Sequence, residues 1–393
     1  MNRAIRVMTV FGTRPEAVKM APLVQALAAA PEIESIVCVT AQHREMLDQV
    51  LDVFSIVPED DLDIMEPSQT LGTITRKAMS GLEEVIAKRK PDIVLVHGDT
   101  TTTFAAALAA FYQQAAIGHV EAGLRTYDKY SPFPEEMNRQ LADVLSDLYF
   151  APTLWSAENL WREGKAPEKV FITGNTAIDA MKTTVQAEYR HPVLDGLPAD
   201  ARVIYMTAHR RENFGEKLRN ICRAALEIVE TYPDVHLIYP VHLNPNVQTT
   251  VREIMGDHPR IQLINPLGVV DNHNFMARAT LILTDSGGIQ EEAPTLGVPV
   301  LVMRDTTERP EGIAAGTLKL VGCEQQDIVR EATRLLTDEE HYRDMAGRKN
   351  PYGDGLASER IVQAILHYFG RGERPQPFTY NGPAGNKHEL SRK

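Results

Sequence analysis

Short apolar runs of strand length alternate with segments of helical periodicity almost without interruption from Ile5 to Phe369. That alternation predicts a doubly wound parallel sheet, in which strands covered on both faces are apolar throughout rather than on one side only. Residues 5–11, 35–40, 92–96, 116–120 and 147–150 read as strands of a first unit, and 170–173 closes it. Residues 191–200, with Pro192, Gly196 and Pro198, are rich in turn formers and mark a boundary. The alternation then restarts with 203–207, 235–241, 261–264, 280–284 and 298–302. The resulting fold class is α/β, with two Rossmann-like domains facing a central cleft. The first is expected over residues 1–175 and the second over 176–357. Residues 371–393 are polar and basic, carry Pro, Gly and Asn, and are expected to form a disordered tail.

Composition narrows the classes of function. The 393 residues are 43% hydrophobic and 24% charged, which suits a soluble globular protein with a core large enough for two or three domains. A net charge of -12 and a pI near 5.5 argue against a nucleic-acid or anionic-membrane surface, since either needs a basic field. Any phosphate site must therefore be a local pocket of arginines and backbone amides. Cys38, Cys222 and Cys323 have no metal or redox spacing and read as reduced core thiols. The apolar run 3–11 is too short for an export signal and contains Arg6, and the run 101–120 is broken by Tyr112, Gln113 and Gln114. A cytoplasmic protein that does not span a membrane is expected.

Ligands of open parallel sheets gather outside the carboxyl ends of the strands, so the polar residues that follow each strand matter most. Residues 280–284 run into Asp285-Ser286-Gly287-Gly288-Ile289-Gln290-Glu291-Glu292. Ser286 offers an N-cap oxygen, and the two glycines let backbone N–H groups approach a diphosphate. Glu292, four residues past Gly288, shares its helix face and can accept hydrogen bonds from a ribose diol. An ordinary capped helix after a glycine turn fits the same residues. Elsewhere, Gly12-Thr13-Arg14-Pro15-Glu16 follows the first strand, and Arg14 can clasp a phosphate there. His97-Gly98-Asp99-Thr100, Glu121-Ala122-Gly123-Leu124-Arg125, Pro134-Glu135-Glu136, His209-Arg210-Arg211-Glu212-Asn213 and His242 occupy comparable places. Any one of these fits a solvated loop charge. Three carboxylates, two histidines and at least three arginines converging on one crevice point instead to chemistry.

Several activities lack their fingerprints. No Gly-x-Gly-x-x-Gly follows the first strand, and the chain holds neither a P-loop nor a Gly-x-Ser-x-Gly elbow. The histidines show no metal-ligand spacing: His236 reads as a strand residue, and His258, His273 and His341 as loop or surface positions. No cofactor and no metal are expected.

The segments Phe11-Gly12-Thr13-Arg14-Pro15-Glu16, Gln42-His43, His97-Gly98-Asp99-Thr100, His119 to Arg125, Pro134-Glu135-Glu136 with Asn138-Arg139, His209 to Asn213 and Asp285 to Glu292 run in one order. In that order the chain resembles the non-hydrolysing UDP-N-acetylglucosamine 2-epimerases, over roughly residues 3–369. The resemblance implies a GT-B fold whose C-terminal helix, at 358–370, returns to the first domain. It implies interconversion of UDP-GlcNAc and UDP-ManNAc, a supply of ManNAc-type precursors for cell-surface polysaccharide, and commonly a homodimer. Asp99, Glu121 and Glu135 resemble the family's catalytic carboxylates and His209 its active-site histidine. Arg14 with His209 would balance the diphosphate charge, Ser286, Gly287 and Gly288 would hold phosphate oxygens, and Glu292 the ribose.

The chemistry asked of such residues is specific. The C2 hydrogen of the sugar is not alpha to a carbonyl, so plain deprotonation is out of reach. Loss of UDP from C1 together with the C2 proton gives 2-acetamidoglucal, to which UDP adds back after a proton returns to the opposite face. Such a path needs carboxylates on both sides of the ring and fixed donors around the diphosphate. Bacterial members of the family also use UDP-GlcNAc as an allosteric activator. Gln42, Gln69, Glu136, Arg210 and His242 occupy segments resembling that second site, and domain-interface polar groups are the alternative reading. A hydrolysing epimerase, an epimerase for a UDP-diacetamido sugar and a GT-B glycosyltransferase are the rival functions.

Overall fold

Every strand pair in the computed structural model, which describes residues 3–42, 44–66 and 69–382, is parallel. The first sheet contains β1 (Ile5–Phe11), β2 (Ile33–Val39), β3 (Asp60–Asp61), β4 (Ile93–His97), β5 (Ala116–Val120), β6 (Leu148–Ala151) and β7 (Val170–Ile172). Its order is β3-β2-β1-β4-β5-β6-β7. The second contains β8 (Arg202–Thr207), β9 (Val235–Pro240), β10 (Ile261–Ile264), β11 (Leu281–Thr284), β12 (Val300–Val302) and β13 (Leu318–Leu320), ordered β10-β9-β8-β11-β12-β13. Both sheets reverse winding direction between their first and fourth strands, which is where ligands of such sheets bind. The loops after β1 and β4 carry Arg14 and Asp99, and those after β8 and β11 carry His209 and Ser286. The α/β fold class read from the sequence is the one observed.

Two strands were not legible as apolar runs. β3 is two aspartates paired with Cys38 and Val39, and β13 is an edge strand with Lys319 at its centre. The alanine-rich stretch forms a helix, Thr101–Tyr112, whose Ala105, Ala106, Ala107, Ala109 and Ala110 are fully buried. Small side chains there let the helix lie close against its neighbours. Among the described residues no helix is long and apolar enough to cross a membrane. All three cysteines are buried free thiols.

The chain divides into two compact units. Residues 1–183 and 352–379 build the first around the seven-stranded sheet, and 184–351 carry the second sheet. Residues 176–183, read from sequence with the second domain, thus lie with the first. The helix Ala357–Tyr368 packs on the helix Arg14–Ala29, so the chain does return to its first domain. Its N-terminus is held by Asp179, which accepts the N–H groups of Ala357 at 3.2 Å and Ser358 at 2.8 Å.

Residues 371–379 depart from the tail expected of them. The Arg374 guanidinium lies over the Phe171 ring at 4.2 Å and donates to the carbonyls of Glu168 and Val170, while Phe378 N–H donates to Ile172 O at 2.8 Å. Their polar composition concealed two residues, Arg374 and Phe378, that each have a partner on or beside β7. Residues 383–393 of the expected tail lie outside the described residues, as does His43.

Candidate active site

In the first domain the turn after β1 is shaped by Glu16. Its carboxylate reaches back to accept the N–H groups of Gly12 at 3.0 Å and Thr13 at 2.8 Å, and takes a third bond from Thr100 Oγ1 at 2.7 Å. One buried side chain therefore joins the turns after β1 and β4. Burial raises its pKa, and these bonds offset only part of that rise. Arg14 opens the helix at the end of this turn.

Glu121, the first residue after β5, holds a left-handed backbone (φ 65°), a strained state for a residue with a Cβ. Its largely buried carboxylate forms an ion pair with Lys19 and accepts a bond from Asn175 Nδ2 at 3.3 Å. His97 Nε2 stands 3.6 Å away. Burial lowers the His97 pKa to about 4, so its ring is neutral at pH 7. Asp99 follows Gly98 at the end of β4 and pairs with Arg139, whose neighbour Asn138 donates to the Asp99 carbonyl at 3.0 Å. Glu135 begins the helix Glu135–Leu145 that supplies both residues, and is half-buried.

The residues expected to form a second nucleotide site are distributed over both units. Glu136 is fully buried and accepts from Thr126 N (3.1 Å), Tyr127 N (3.0 Å), Arg139 Nη1 (3.1 Å) and Gln140 Nε2 (2.8 Å). Those bonds make it the post around which the 126–127 turn folds. Gln42 accepts from Thr102 Oγ1 at 3.2 Å, and Gln69 donates to the Ile64 carbonyl. Arg210 and His242 belong to the second unit.

There, Asp285 organises the strand ends. Its buried Oδ2 accepts the backbone N–H groups of His209 and Arg210, each at 2.9 Å, and Asn213 Nδ2 at 3.1 Å. His209 Nδ1 lies 3.6 Å from Oδ1, and its ring stacks on His242 with centroids 5.5 Å apart. Burial lowers the His209 pKa; Asp285 opposes that, and His242 and Arg210 reinforce it. Ser286, Gly287 and Gly288 follow directly at the start of the short helix Gly287–Glu292.

Gly287 has a second reason to be glycine. A Cβ there would stand 2.7 Å from Arg309 Nη1. Arg309 is fixed in turn by Glu291 at 2.8 Å and Glu308 at 2.5 Å. Burial alone would raise Glu308, but Arg309, Arg304 and Arg210 around it bring its pKa down to about 2. Glu292 stands 3.4 Å from Nε2 of His273, whose Nδ1 faces Thr184 Oγ1 at 2.6 Å. His273, read as a loop or surface position, is buried on the helix Val269–Arg278 and supports that carboxylate.

Lys19, Asn175, Asp285 and Arg309 escaped the sequence reading as site residues. A charge inside the otherwise apolar run Ala17 to Leu23 was the available signal for Lys19, and position directly after a strand was the signal for Asp285. Among the described residues no group of three or more His, Cys, Asp or Glu could hold a metal ion.

The family model for UDP-N-acetylglucosamine 2-epimerase matches residues 25–366. This chain belongs to that family. The UDP-N-acetylglucosamine 2-epimerase of Bacillus subtilis is 58% identical over 378 residues, spanning 96% of this chain and 99% of the relative. The crystal structure of a Listeria monocytogenes protein described by the same family name superposes with a TM-score of 0.91 at 58% identity, covering 96% of this chain and all of that one. A Neisseria meningitidis UDP-GlcNAc 2-epimerase bound to UDP-GlcNAc superposes with a TM-score of 0.86 at 50% identity, over 92% of this chain and all of that one. Family and fold agree with the GT-B expectation.

Proposed function

We propose that this chain epimerises UDP-GlcNAc to UDP-ManNAc, reversibly and without hydrolysis. The observation that carries the proposal is the set of carboxylates at the ends of β4 and β5: Glu121 paired with Lys19 beside neutral His97, and Asp99 paired with Arg139. The paired cations fix where each carboxylate stands, one at the end of either strand.

In the proposed reaction a carboxylate removes the C2 proton as the C1–O bond breaks and its electron pair leaves with UDP. The C1–C2 double bond of 2-acetamidoglucal results. A second acid, from the set Asp99, Glu121 and Glu135, returns a proton to the other face of C2, and a UDP oxygen re-forms the bond to C1. Ser286, Gly287 and Gly288, with Arg14 and His209, hold the diphosphate throughout, so the leaving group stays in place to return. Glu292, backed by His273, takes the ribose. The binding of UDP-GlcNAc by the Neisseria relative supports the choice of substrate.

Regulation by UDP-GlcNAc at a second site, and assembly as a homodimer, belong to the same proposal. Arg210 and His242 are the residues offered for the activator, with Gln42 and Gln69. Glu136 takes a positioning part instead, because four protein donors already occupy it.

Proton NMR of the purified protein with UDP-GlcNAc tests the reading. A mixture of UDP-GlcNAc and UDP-ManNAc that stops changing at a fixed ratio is expected. Accumulation of free ManNAc with UDP would assign the hydrolysing activity, and an unchanged UDP-GlcNAc spectrum would favour a UDP-diacetamido substrate or glycosyl transfer.

A further inference from the structure

We infer that the buried pair His119 and Asp143 positions two of the reacting carboxylates, by gripping the loop of Asp99 at one end and the loop of Glu121 at the other. His119 lies on β5 with no exposed surface, and neither it nor Asp143 is among the groups assigned above to substrate. Its Nε2 is 2.7 Å from the carbonyl oxygen of Gly98, the residue before Asp99. A carbonyl only accepts, so Nε2 carries a hydrogen. Its Nδ1 is 2.7 Å from Asp143 Oδ1, and a second proton lies between those two atoms.

The other Asp143 oxygen faces the second loop. Oδ2 accepts the Gly123 N–H at 3.3 Å and Arg125 Nη2 at 2.6 Å, and Arg125 continues to Glu163 at 2.7 Å. Gly98 and Gly123 take left-handed backbones that glycine allows, but Glu121 between them in sequence holds the same conformation with a Cβ, so its loop does not keep that shape by local preference alone. At Gly123 a Cβ would lie 2.3 Å from Ser156 O, so the loop passes too close to that backbone for any residue but glycine. Buried ionic groups are costly unless they are well paired, and here both Asp143 oxygens and both His119 ring nitrogens have partners, yet apolar residues would fill the same core more cheaply. What apolar residues would not supply is a directional bond to each loop. Burial pushes the Asp143 carboxyl up, but His119 and Arg125 hold it below the usual carboxylate range.

This inference rests on the proposal that Asp99 and Glu121 move protons, and its test separates the two. An asparagine amide stands about where Nδ1 stands and a glutamine amide about where Nε2 stands. His119→Asn therefore retains the Asp143 bond and releases Gly98, whereas His119→Gln does the reverse. Each should lower kcat for UDP-GlcNAc by roughly 10-fold or more, because small misplacements of reacting groups are costly. The dissociation constant for UDP should stay within about twofold, since neither Gly98 nor Gly123 is among the residues assigned to the diphosphate.

Counting folded sites by UDP binding removes any loss due to unfolding. In the unmodified protein labelled with nitrogen-15 histidine, His119 should show hydrogen-bonded protons at both ring nitrogens, with the Nδ1 proton far downfield and absent from Asp143→Asn. Near-normal kcat in both His119 variants, while Asp99→Asn and Glu121→Gln are inactive, would overturn the positioning role alone. Full turnover in Asp99→Asn and Glu121→Gln would instead overturn the underlying reading. Should the variants not fold, a His119 ring nitrogen without a bonded proton in the unmodified protein overturns the inference by itself.

Discussion

The Asp285 carboxylate accepts the backbone N–H of His209 at 2.9 Å, so the histidine loop after β8 is tied directly to the serine-glycine turn after β11. Thr207 and Thr284, the last residues of those strands, are joined by a 2.7 Å side-chain bond just beneath. Removing the carboxylate strands three donors, two of them backbone N–H groups. Asp285→Ala should therefore cost roughly 2–4 kcal/mol of stability, since each buried unsatisfied polar group costs about 1–3 kcal/mol and neighbouring losses do not add fully. UDP affinity should fall with it. Denaturant unfolding and calorimetric titration with UDP check both, and an unchanged midpoint would remove Asp285 as the organiser of this end of the sheet.

His97 makes stability depend on pH. Burial places its folded pKa at about 4, below the unfolded value, so its contribution is fully present above about pH 6.5 and lost as pH falls toward 4. A shift of that size corresponds to about 3 kcal/mol across the interval. His97→Asn should flatten the decline of unfolding free energy between pH 6.5 and 4 relative to the unmodified protein. Parallel curves for the two proteins would mean that another group titrates there.

How much of this was legible in the sequence depends on the range of the interaction. Strands of four or more apolar residues, and the turn Ser286-Gly287-Gly288 beside its own strand and helix, are local and were read directly. β3 was not, because two aspartates earn their strand conformation only from pairing with Cys38 and Val39. The ion pair of Lys19 with Glu121 joins residues 102 positions apart, and no local pattern announces it. Glu135 and Glu136 illustrate the limit most sharply. They are adjacent and identical, yet one is half-buried at the helix start and the other is fully enclosed by four donors. Helical phase and tertiary packing decide which is which, and a motif does not.

Binding and chemistry should separate cleanly under substitution. Asp99→Asn, Glu121→Gln and Glu135→Gln keep shape but lose a proton carrier, so turnover should fall roughly 100-fold or more for the true acid and base. UDP affinity should hardly change. Arg14→Ala and Ser286→Ala should show the reverse emphasis, with UDP binding weakened first. Initial rates beside titrations with UDP make the comparison, and normal turnover in all three carboxamide variants would take these carboxylates out of the reaction.

The stacked rings of His209 and His242 offer a handle on regulation. An activator shifts an equilibrium only by its preference for one state over the other. If a second UDP-GlcNAc acts through Arg210 and His242, UDP-ManNAc alone should be turned over poorly until a trace of UDP-GlcNAc is added. His242→Ala should then flatten a sigmoidal dependence on UDP-GlcNAc. Hyperbolic kinetics in the unmodified protein, with full activity on UDP-ManNAc from the first turnover, would exclude the activator.

The central claim is that a proton leaves C2 of the sugar and a different one returns. Turnover of UDP-GlcNAc in deuterium oxide, followed by proton NMR, tests it most directly. The account predicts that the C2 hydrogen signal of UDP-ManNAc is lost to deuterium as it forms. Retention of the original hydrogen at C2 in both epimers would contradict it.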